Sequence, residues 1–229
     1  ALTYAETREV SPAGQAKARH TGNPVREAML AARGVPYAAP EGDAPLNLLV
    51  VGGSQGARIL SRVVPEAIAT LAPEERARLR VVQQCRVEDI SAVAQAYAQS
   101  GVAHECHSYM EDMPVRLAAA HLVISRAGAS TMAELMAVGR PAVLIPFAAA
   151  ADDHQTANAA GFVEAGAGMM LPESVATPAR LAGMIRGFLH APESLASAAA
   201  AAKSLGVPDA AARLADLVEH EVRALERIQ

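Results

Sequence analysis

The fold of this chain is decided by residues 123–134, which have the sequence VISRAGASTMAE. The apolar run at 122–124 is typical of a parallel strand that is covered on both faces. A loop of small residues follows, and we expect Ser130 or Thr131 to cap a helix that continues through Glu134. Such a helix N-terminus presents unpaired N–H groups and a partial positive charge, which together can hold a phosphate. The same spacing also occurs in an ordinary capping box, so both interpretations stay open at this point.

A second strand-loop-helix unit precedes this one. The apolar run at 46–51 leads into GGSQGAR at 52–58, and a helix is predicted from there through Leu71. A glycine-rich loop between a strand and a helix lets a phosphate approach the backbone. The loop lacks the Lys-Ser/Thr of a Walker motif and does not match GxGxxG, so a tight turn without a ligand is an equally good interpretation of this loop alone.

Strands and helices alternate along most of the chain, which predicts an α/β fold with a Rossmann-like, doubly wound parallel sheet. Residues 1–25 are predicted to be irregular because Ser11, Pro12 and Gly14 interrupt any periodicity. Six strands are predicted, at 46–51, 79–85, 102–109, 121–125, 141–147 and 167–171. A short helix is predicted at 25–33, before the loop at 36–45. The helices predicted after that loop are the one that follows Arg58 and runs through Leu71, 87–100, 113–120, the helix after the small-residue loop up to Gly139, 152–164, 177–190, 192–204 and 208–227.

Composition narrows the class of protein. The chain has 229 residues, of which 52% are hydrophobic and 19% charged, and this is the balance of a globular protein. The formal net charge is −4 and no basic run occurs, so we expect no nucleic-acid partner. No apolar run is long enough to suggest a membrane span, and no signal peptide is expected. Cys85 and Cys106 are predicted to be reduced structural thiols of a cytoplasmic protein.

Four sequence blocks carry a resemblance to a known family. They are GNPVR at 22–26, GGSQGAR at 52–58, SRAGAST with Glu134 at 125–134, and DDHQTANA at 152–159. In their order and spacing they resemble the C-terminal half of the MurG family. These bacterial enzymes transfer N-acetylglucosamine (GlcNAc) from UDP-GlcNAc to lipid I, undecaprenyl-diphospho-muramoylpentapeptide, and so make lipid II for peptidoglycan. The resemblance implies the donor-binding domain of an inverting, metal-independent hexosyltransferase of the GT-B fold, which uses no cofactor.

The resemblance also implies a set of donor-binding residues. By that analogy, backbone groups of Met110 bind the uracil, Glu134 binds the ribose hydroxyls, and Gln155 reaches the hydroxyls of GlcNAc. A carboxylate suits the ribose because it can accept hydrogen bonds from two hydroxyls. The full set that the resemblance assigns to UDP-GlcNAc is Arg26, Ser54, Gln55, Met110, Ala129, Ser130, Thr131, Met132, Ala133, Glu134, Gln155 and Asn158.

The diphosphate is assigned, by the same resemblance, to Ser54, Ser130 and Thr131. A helix dipole and hydroxyl donors can stabilise the negative charge that grows on a UDP leaving group, which removes the need for a metal ion. Asp152 and Asp153 are the nearest candidates for metal ligands. They are adjacent rather than spaced and stand at a predicted helix start, where acids are favoured in any case, so we expect no metal there.

His154 is the one candidate for a catalytic base in this chain. It is predicted in the first turn of a helix, where the dipole disfavours its protonation, and a polar residue that lines the donor pocket is the alternative interpretation. Members of the family often carry a histidine in the loop at 148–151, which has four alanines here. Arg126 follows a buried strand, and we expect it to pair with a neighbouring acid. His104, His107 and His121 are scattered on or beside strands, so they do not suggest a metal site.

The resemblance divides the chain into three parts. Residues 1–26 are expected to be the remnant of an N-terminal domain and the interdomain hinge, which includes Arg26; residues 27–45 are expected to be a linker with a short helix, and 46–229 the donor-binding domain with C-terminal helices. In the family, the N-terminal half binds lipid I and contacts the cytoplasmic face of the bacterial inner membrane, so this half alone is expected to lack turnover. Two alternatives stay open: the donor subunit of a two-chain transferase, and a non-catalytic UDP-sugar module or epimerase-like domain.

Overall fold

The computed structural model describes residues 1–4, 10–53, 57–147 and 153–226. Two of the predicted donor-binding residues, Ser54 and Gln55, lie outside the described residues, as do Asp152 and the alanine loop at 148–151.

Six parallel strands form one sheet with the order β3-β2-β1-β4-β5-β6. This confirms the predicted doubly wound α/β fold. Each strand lies inside its predicted range, and five of the six predicted ranges are longer than the strand, by one to four residues. The strands are β1 Leu46–Val51, β2 Leu79–Gln84, β3 Ala103–His107, β4 Leu122–Ser125, β5 Ala142–Leu144 and β6 Gly168–Met170.

Helices connect the strands and follow the last one. In chain order they are α1 Pro12–Lys17, α2 Glu27–Ala32, α3 Arg58–Ala69, α4 Pro73–Ala77, α5 Ile90–Ser100, α6 Met113–Ala119, α7 Ala129–Val138, α8 His154–Glu164, α9 Pro178–His190, α10 Pro192–Ser204 and α11 Ala210–Glu226. Short 3₁₀ turns occupy Val87–Asp89 and Glu173–Val175.

The prediction that residues 1–25 are irregular is wrong for α1. Pro12 occupies the first turn of this helix, where its missing N–H costs nothing, and the Ser11 hydroxyl accepts a hydrogen bond from the Gly14 N–H at 3.1 Å. The residues that seemed to interrupt a period are therefore the start signal of a short helix. Prediction also missed α4, which begins in the same way with Pro73.

The start of α7 also differs from the prediction. The helix begins at Ala129, so Gly128 holds the capping position, and Ser130 and Thr131 lie within the first turn. The reason is that Gly128 is extended, with φ −64° and ψ 146°, while its carbonyl already accepts the first helical hydrogen bond, from the Met132 N–H at 2.9 Å. The predicted end is confirmed at Gly139.

The core lies on both faces of the sheet. Side chains alternate along β1, so that Leu48 and Val50 pack on one face and Leu49 on the other. The first face is covered by α3, α5 and α9, and the second by α2, α6, α7 and α8. Because helices cover both faces, β4 and β5 are fully buried and their sequences, LVIS and AVL, are almost entirely apolar, whereas the edge strand β3, AHECH, is only partly buried.

The last helix is less well covered by the described residues. Val218 is 55% exposed and Val222 48% exposed, although the sequence places both on the apolar face of α11. Among the described residues, no helix combines the length and the apolarity that crossing a membrane requires.

Candidate functional site

The strand order reverses between β1 and β4. The chain builds outward from β1 through β2 to β3, and then returns to the other side of β1 with β4, β5 and β6. The last paired residues of these two central strands are Val51 and Ser125. Ligands of open parallel α/β sheets bind in the crevice outside the carboxyl ends of the strands at such a reversal point. The fold therefore puts the candidate site at the ends of β1 and β4.

Two glycines keep the entrance of this crevice open. Gly53 follows β1 with a φ of 88°, which side-chain-bearing residues rarely adopt, and a Cβ placed there would meet no atom within 4 Å. Gly128 precedes α7, and a Cβ placed on it would likewise meet no atom within 4 Å. Among the described residues, none therefore fills the space beside the ends of the two central strands, and a ligand can enter there.

The N-terminus of α7 faces this space. Since the first helical hydrogen bond is donated by Met132, the N–H groups of Ala129, Ser130 and Thr131 have no partner within the helix. Ala129 and Ser130 are exposed, whereas the side chains of Met132 and Ala133 are buried. Met132 packs into the core, so of the predicted binding residues it can offer only backbone groups. The exposed amides suit an anionic group.

Glu134 lies one turn further along α7 and faces the start of α2. Its carboxylate is 3.5 Å from the Arg26 guanidinium, and 26% of the Glu134 side chain is exposed. Burial raises the pKa of Glu134 above its ordinary value, and the nearby Arg26 opposes this shift. Two predicted site residues from distant parts of the sequence therefore meet, and their half-buried carboxylate can accept hydrogen bonds from vicinal hydroxyls.

The GNPVR block at 22–26 packs closely against the segment around Val207. Gly22 has a φ of 77°, and a Cβ on it would lie 2.7 Å from the Cβ of Val207. Only glycine fits there without a shift of the backbone. This contact fixes the segment that carries Arg26 against the connection between α10 and α11.

Met110 follows β3 by three residues. Its side chain is buried, at 5% exposure, among core residues of the α2, α6 and α7 layer. Any contact of Met110 with a ligand therefore involves its backbone, as the resemblance suggested, while the neighbouring Tyr109 is 67% exposed.

Gln155 and Asn158 hold the peptide that leads into α7. The Gln155 Oε1 accepts a hydrogen bond from the Ala127 N–H at 3.2 Å and a second from the Phe147 N–H at 3.0 Å. The Asn158 amide donates to the Ala127 carbonyl at 3.0 Å. Both side chains are thus brought to the candidate site, and the structure shows each of them bracing the loop after β4.

Arg126 is buried directly behind this loop. Its Nη1 lies 2.7 Å from the Glu173 carboxylate and donates to the carbonyls of Ile145 and Pro146 at 3.1 and 3.0 Å. The predicted pairing of Arg126 with an acid is confirmed. Sequence reasoning missed Glu173 and Phe147 as partners of Arg126. They lie about 20 to 50 residues from Arg126 along the chain, and only the order of the strands in the sheet brings them close to it.

The remaining candidates lie at the start of α8. His154 is the first residue of this helix, as predicted, and its side chain is exposed. Asp153 before it adopts a φ of 50°, and its carboxylate accepts a hydrogen bond from the Thr156 hydroxyl at 2.7 Å. Within the described ranges, no three His, Cys, Asp or Glu side chains are grouped as a metal ion would require.

Comparisons with known proteins identify the family to which this fold belongs. A curated UDP-N-acetylglucosamine--N-acetylmuramyl-(pentapeptide) pyrophosphoryl-undecaprenol N-acetylglucosamine transferase from Methylobacterium sp. (strain 4-46) is 51% identical over 219 residues, which are 95% of this chain and 59% of the relative. The chain thus spans under two thirds of the length of that relative. The crystal structure of Acinetobacter baumannii MurG superposes with a TM-score of 0.73 at 32% identity, covering 80% of this chain and 55% of that one.

A putative UDP-N-acetylglucosamine 2-epimerase from Listeria monocytogenes superposes with a TM-score of 0.55 at 17% identity, covering 86% of this chain and 52% of that one, and this likeness shows the fold alone. The fold is that of the C-terminal domain of a GT-B glycosyltransferase. Residues 47–214, which include all six strands except the first residue of β1, match the glycosyltransferase family 28 C-terminal domain. The chain belongs to glycosyltransferase family 28.

Proposed function

We propose that this chain is the donor-binding part of a glycosyltransferase that transfers GlcNAc from UDP-GlcNAc to lipid I and so makes lipid II for peptidoglycan. The observation that carries the proposal is the crevice between β1 and β4, where the exposed amides of α7 and the half-buried carboxylate of Glu134 lie one helical turn apart. That spacing suits a nucleoside diphosphate, with the diphosphate at the helix N-terminus and the ribose hydroxyls on the carboxylate.

The reaction needs stabilisation of the departing UDP. Negative charge grows on the diphosphate as the bond from GlcNAc to its oxygen breaks, and the amides of Ala129, Ser130 and Thr131 together with the helix dipole can stabilise that charge. The hydroxyls of Ser130 and Thr131 add donors, and Ser54 and Gln55 are assigned to the same group by the resemblance. On this proposal, transfer proceeds with inversion and without a metal ion.

The acceptor side of the reaction is assigned to a further part of the full-length enzyme. The curated relative from Methylobacterium is longer than this chain, which covers 59% of it. We assign lipid I binding and contact with the cytoplasmic face of the bacterial inner membrane to that further part, with residues 1–26 as hinge, 27–45 as linker and 46–229 as donor-binding domain. The chain alone is then expected to bind the donor without turnover.

Isothermal titration of the chain with UDP-GlcNAc tests the proposal. UDP-GalNAc and ADP serve as controls, the first for the sugar and the second for the base. Selective binding of UDP-GlcNAc is expected, with an affinity between micromolar and millimolar. Equal binding of ADP would contradict the assignment of the crevice to a uridine nucleotide, and the absence of UDP-GlcNAc binding would contradict an independent donor site in this chain.

The same titration tests the absence of a metal requirement. With EDTA in the cell, the affinity for UDP-GlcNAc is expected to stay the same, because backbone amides rather than a cation hold the diphosphate. If EDTA abolished binding and Mg²⁺ restored it, the helix N-terminus would not be the group that neutralises the diphosphate.

A further inference from the structure

The orientation of the Gln155 side-chain amide is fixed by its two partners. The N–H groups of Ala127 and Phe147 both point at the same atom of Gln155, at 3.2 and 3.0 Å. A backbone N–H can only donate, so the atom between them has to be the amide oxygen. The NH₂ group is then turned away from this pair of amides, and Gln155 presents itself to a ligand as a hydrogen-bond donor.

The Phe147 N–H is held in place by Arg126. The guanidinium donates to the carbonyls of the two preceding residues, Ile145 and Pro146, and lies 5.1 Å from the centroid of the Phe147 ring. Arg126 therefore contacts three consecutive residues, Ile145, Pro146 and Phe147. It is itself 9% exposed, so its contacts are made in a largely desolvated environment.

Arg126 is held in turn by Glu173. The two side chains are 2.7 Å apart and only 10% and 25% exposed, and Glu173 lies in the 3₁₀ turn after β6. Near the positive N-terminus of α7 a buried arginine without a carboxylate partner would be costly, so the pair keeps the guanidinium in one position. The segments after β4 and β5 thus contact Gln155 directly, and the segment after β6 is linked to it through Arg126.

Gln155 and Glu134 approach the entrance of α7 from different elements. Glu134 faces Arg26 at the start of α2, whereas Gln155 reaches the same loop from α8. Both α2 and α8 pack against α7. Along the chain, the α7 N-terminus lies between the two contacts, since Gln155 binds Ala127 before the helix and Glu134 lies one turn into it. On the proposed function, a ligand with its diphosphate at that N-terminus and its ribose on Glu134 has its sugar on the side of Gln155.

We infer that Arg126 and Glu173 are positioning residues for sugar recognition, which fix Gln155 as a hydrogen-bond donor to the hydroxyl oxygens of the transferred sugar. The inference rests on the proposed function for the identity of the ligand. Its structural part, the chain of contacts from Glu173 through Arg126 and Phe147 to Gln155, holds in the free protein. Neither positioning residue needs to touch the donor.

Amide hydrogen exchange in the free 229-residue chain tests the structural part. Glu173→Gln and Arg126→Met are expected to speed exchange of the Phe147 N–H about tenfold, the effect of losing one hydrogen bond. Gln155→Met, which removes the acceptor itself, is expected to speed exchange of both the Phe147 and the Ala127 N–H. Unchanged exchange at Phe147 in both positioning variants would overturn the inference. Arg62→Met, at an exposed arginine on α3, is the matched control.

Titration with UDP and UDP-GlcNAc tests the part that concerns the sugar. In Glu173→Gln the preference for UDP-GlcNAc over UDP is expected to fall about fivefold or more, while the affinity for UDP alone stays the same. Arg126→Lys, which keeps the charge without the planar fork, is expected to retain part of the preference. If the affinities for UDP and UDP-GlcNAc fell together, the pair would serve stability rather than sugar recognition.

The two proposals fail in different ways. If the unaltered chain binds UDP and UDP-GlcNAc equally well, sugar recognition in the proposed function is wrong, and with it the assignment of the Gln155 donor to a sugar. The exchange measurement then still decides whether Glu173 and Arg126 position Gln155. If Arg126→Met fails to fold, Glu173→Gln still tests the inference, because it replaces only one oxygen of a partly exposed carboxylate.

Discussion

Two buried arginines stand at opposite ends of the sheet and are partnered differently. Arg126 follows β4 at the carboxyl end, and Arg140 precedes β5 at the amino end. Arg126 is 9% exposed and Arg140 1% exposed, and each guanidinium lies about 5 Å from an aromatic ring, that of Phe147 or that of Tyr37. Arg126 is paired with the carboxylate of Glu173, whereas the contacts that the structure describes for Arg140 are to backbone carbonyls and the Tyr37 ring.

The helix ends explain this difference. Arg140 donates to the carbonyls of Leu117 and Ala118 at the end of α6, and of Val138 and Gly139 at the end of α7. Helix C-termini carry partial negative charge and unpaired carbonyls, so they can accommodate a cation without a carboxylate. At the carboxyl end of the sheet the helices begin rather than end, and the local partial charge is positive, so a buried arginine there needs an acid.

A buried arginine side chain therefore has different roles at the two ends of the sheet. At the amino end a cation completes the hydrogen bonding of the scaffold. At the carboxyl end the positive helix N-terminus is left for a ligand, and the cation beside it is neutralised by Glu173 and used to hold a loop. Substitutions at the amino end should therefore change stability, and substitutions at the carboxyl end should change binding.

The largest effect is expected at the amino end. Arg140→Met is predicted to lower the free energy of unfolding by about 3 kcal/mol, because it leaves the carbonyls at two helix ends without donors, and each buried orphan costs roughly 1–3 kcal/mol. Chemical denaturation monitored by circular dichroism measures this. Arg180→Met, at an exposed arginine on α9, is the control and should change stability little. A loss of under about 1 kcal/mol for Arg140→Met would mean that relief of the buried charge offsets the lost hydrogen bonds.

At the carboxyl end, the next largest effect is expected on binding. Glu134→Ala is predicted to weaken UDP-GlcNAc binding by roughly 1–3 kcal/mol, the range for hydrogen bonds to a charged group. The free energy of unfolding should change little, since the burial that raises the pKa of Glu134 makes its charge costly in the free protein. Titration calorimetry measures the first quantity and denaturation the second.

Glu66 offers a matched control for this substitution. It is an exposed glutamate on α3, away from the crevice, and Glu66→Ala should leave the affinity unchanged. An unchanged dissociation constant in Glu134→Ala would remove this carboxylate from the binding site and leave its contact with Arg26 as a purely structural one.

Two glycine substitutions test, with a smaller expected effect, whether stability and binding depend on different parts of the molecule. Gly22→Ala is predicted to lower the free energy of unfolding by roughly 1–3 kcal/mol, because the new Cβ would lie 2.7 Å from the Cβ of Val207 and φ is 77°. Gly128→Ala is predicted to change stability by less than about 1 kcal/mol, since its φ is −64° and the Cβ would meet open space.

Binding should show the reverse order for the two glycines. In Gly128→Ala the added methyl group enters the space in front of α7, so the affinity for UDP-GlcNAc should fall. Gly22→Ala, measured at a temperature where the chain is folded, should retain more of its affinity, because its Cβ meets Val207 rather than the space in front of α7 and acts on the ligand only through the position of Arg26. If Gly128→Ala bound the donor normally, the space beside Gly128 would not be where the ligand lies.

How far the sequence could predict these two regions depended on the range of the interactions. The strands, the parallel sheet and the small-residue loop before α7 follow from local apolar runs and glycines, and they were predicted within a few residues. The start of α7 was misassigned because Ser130, Thr131 and Gly128 are all acceptable near a helix start, and only the path of the backbone selects Gly128. The path of the backbone cannot be predicted from the helix propensities of these residues.

The contacts that organise the candidate site were beyond the sequence for a different reason. That Arg126 would pair with an acid could be predicted from its place after a buried strand, but the identity of Glu173 depends on β6 lying two strands away in the sheet. Likewise, Gln155 was recognised from its motif, but the motif could not predict that its oxygen accepts a hydrogen bond from the Phe147 N–H. The motifs name the residues, and the topology decides what each one contacts.

The smallest expected effect concerns pH at the amino end of the sheet. His121 accepts a hydrogen bond from the Asn47 N–H at 3.0 Å, and burial, followed by the nearby charge of Arg140, lowers its pKa in the folded chain. In the unfolded chain its pKa returns to about 6.5, so the unfolded state binds more protons as the pH falls below that value, and the free energy of unfolding decreases.

His121→Asn keeps an acceptor near the same position and does not titrate. The decrease in the free energy of unfolding between about pH 7.5 and about pH 5.5 should therefore be smaller in this variant than in the unaltered chain. The affinity for UDP-GlcNAc should not differ between the two at either pH, because His121 lies at the end of β4 opposite the crevice. Parallel loss of stability in both proteins would mean that His121 is not the source of the pH dependence, and a change in affinity would contradict the separation of the two ends of the sheet into scaffold and site.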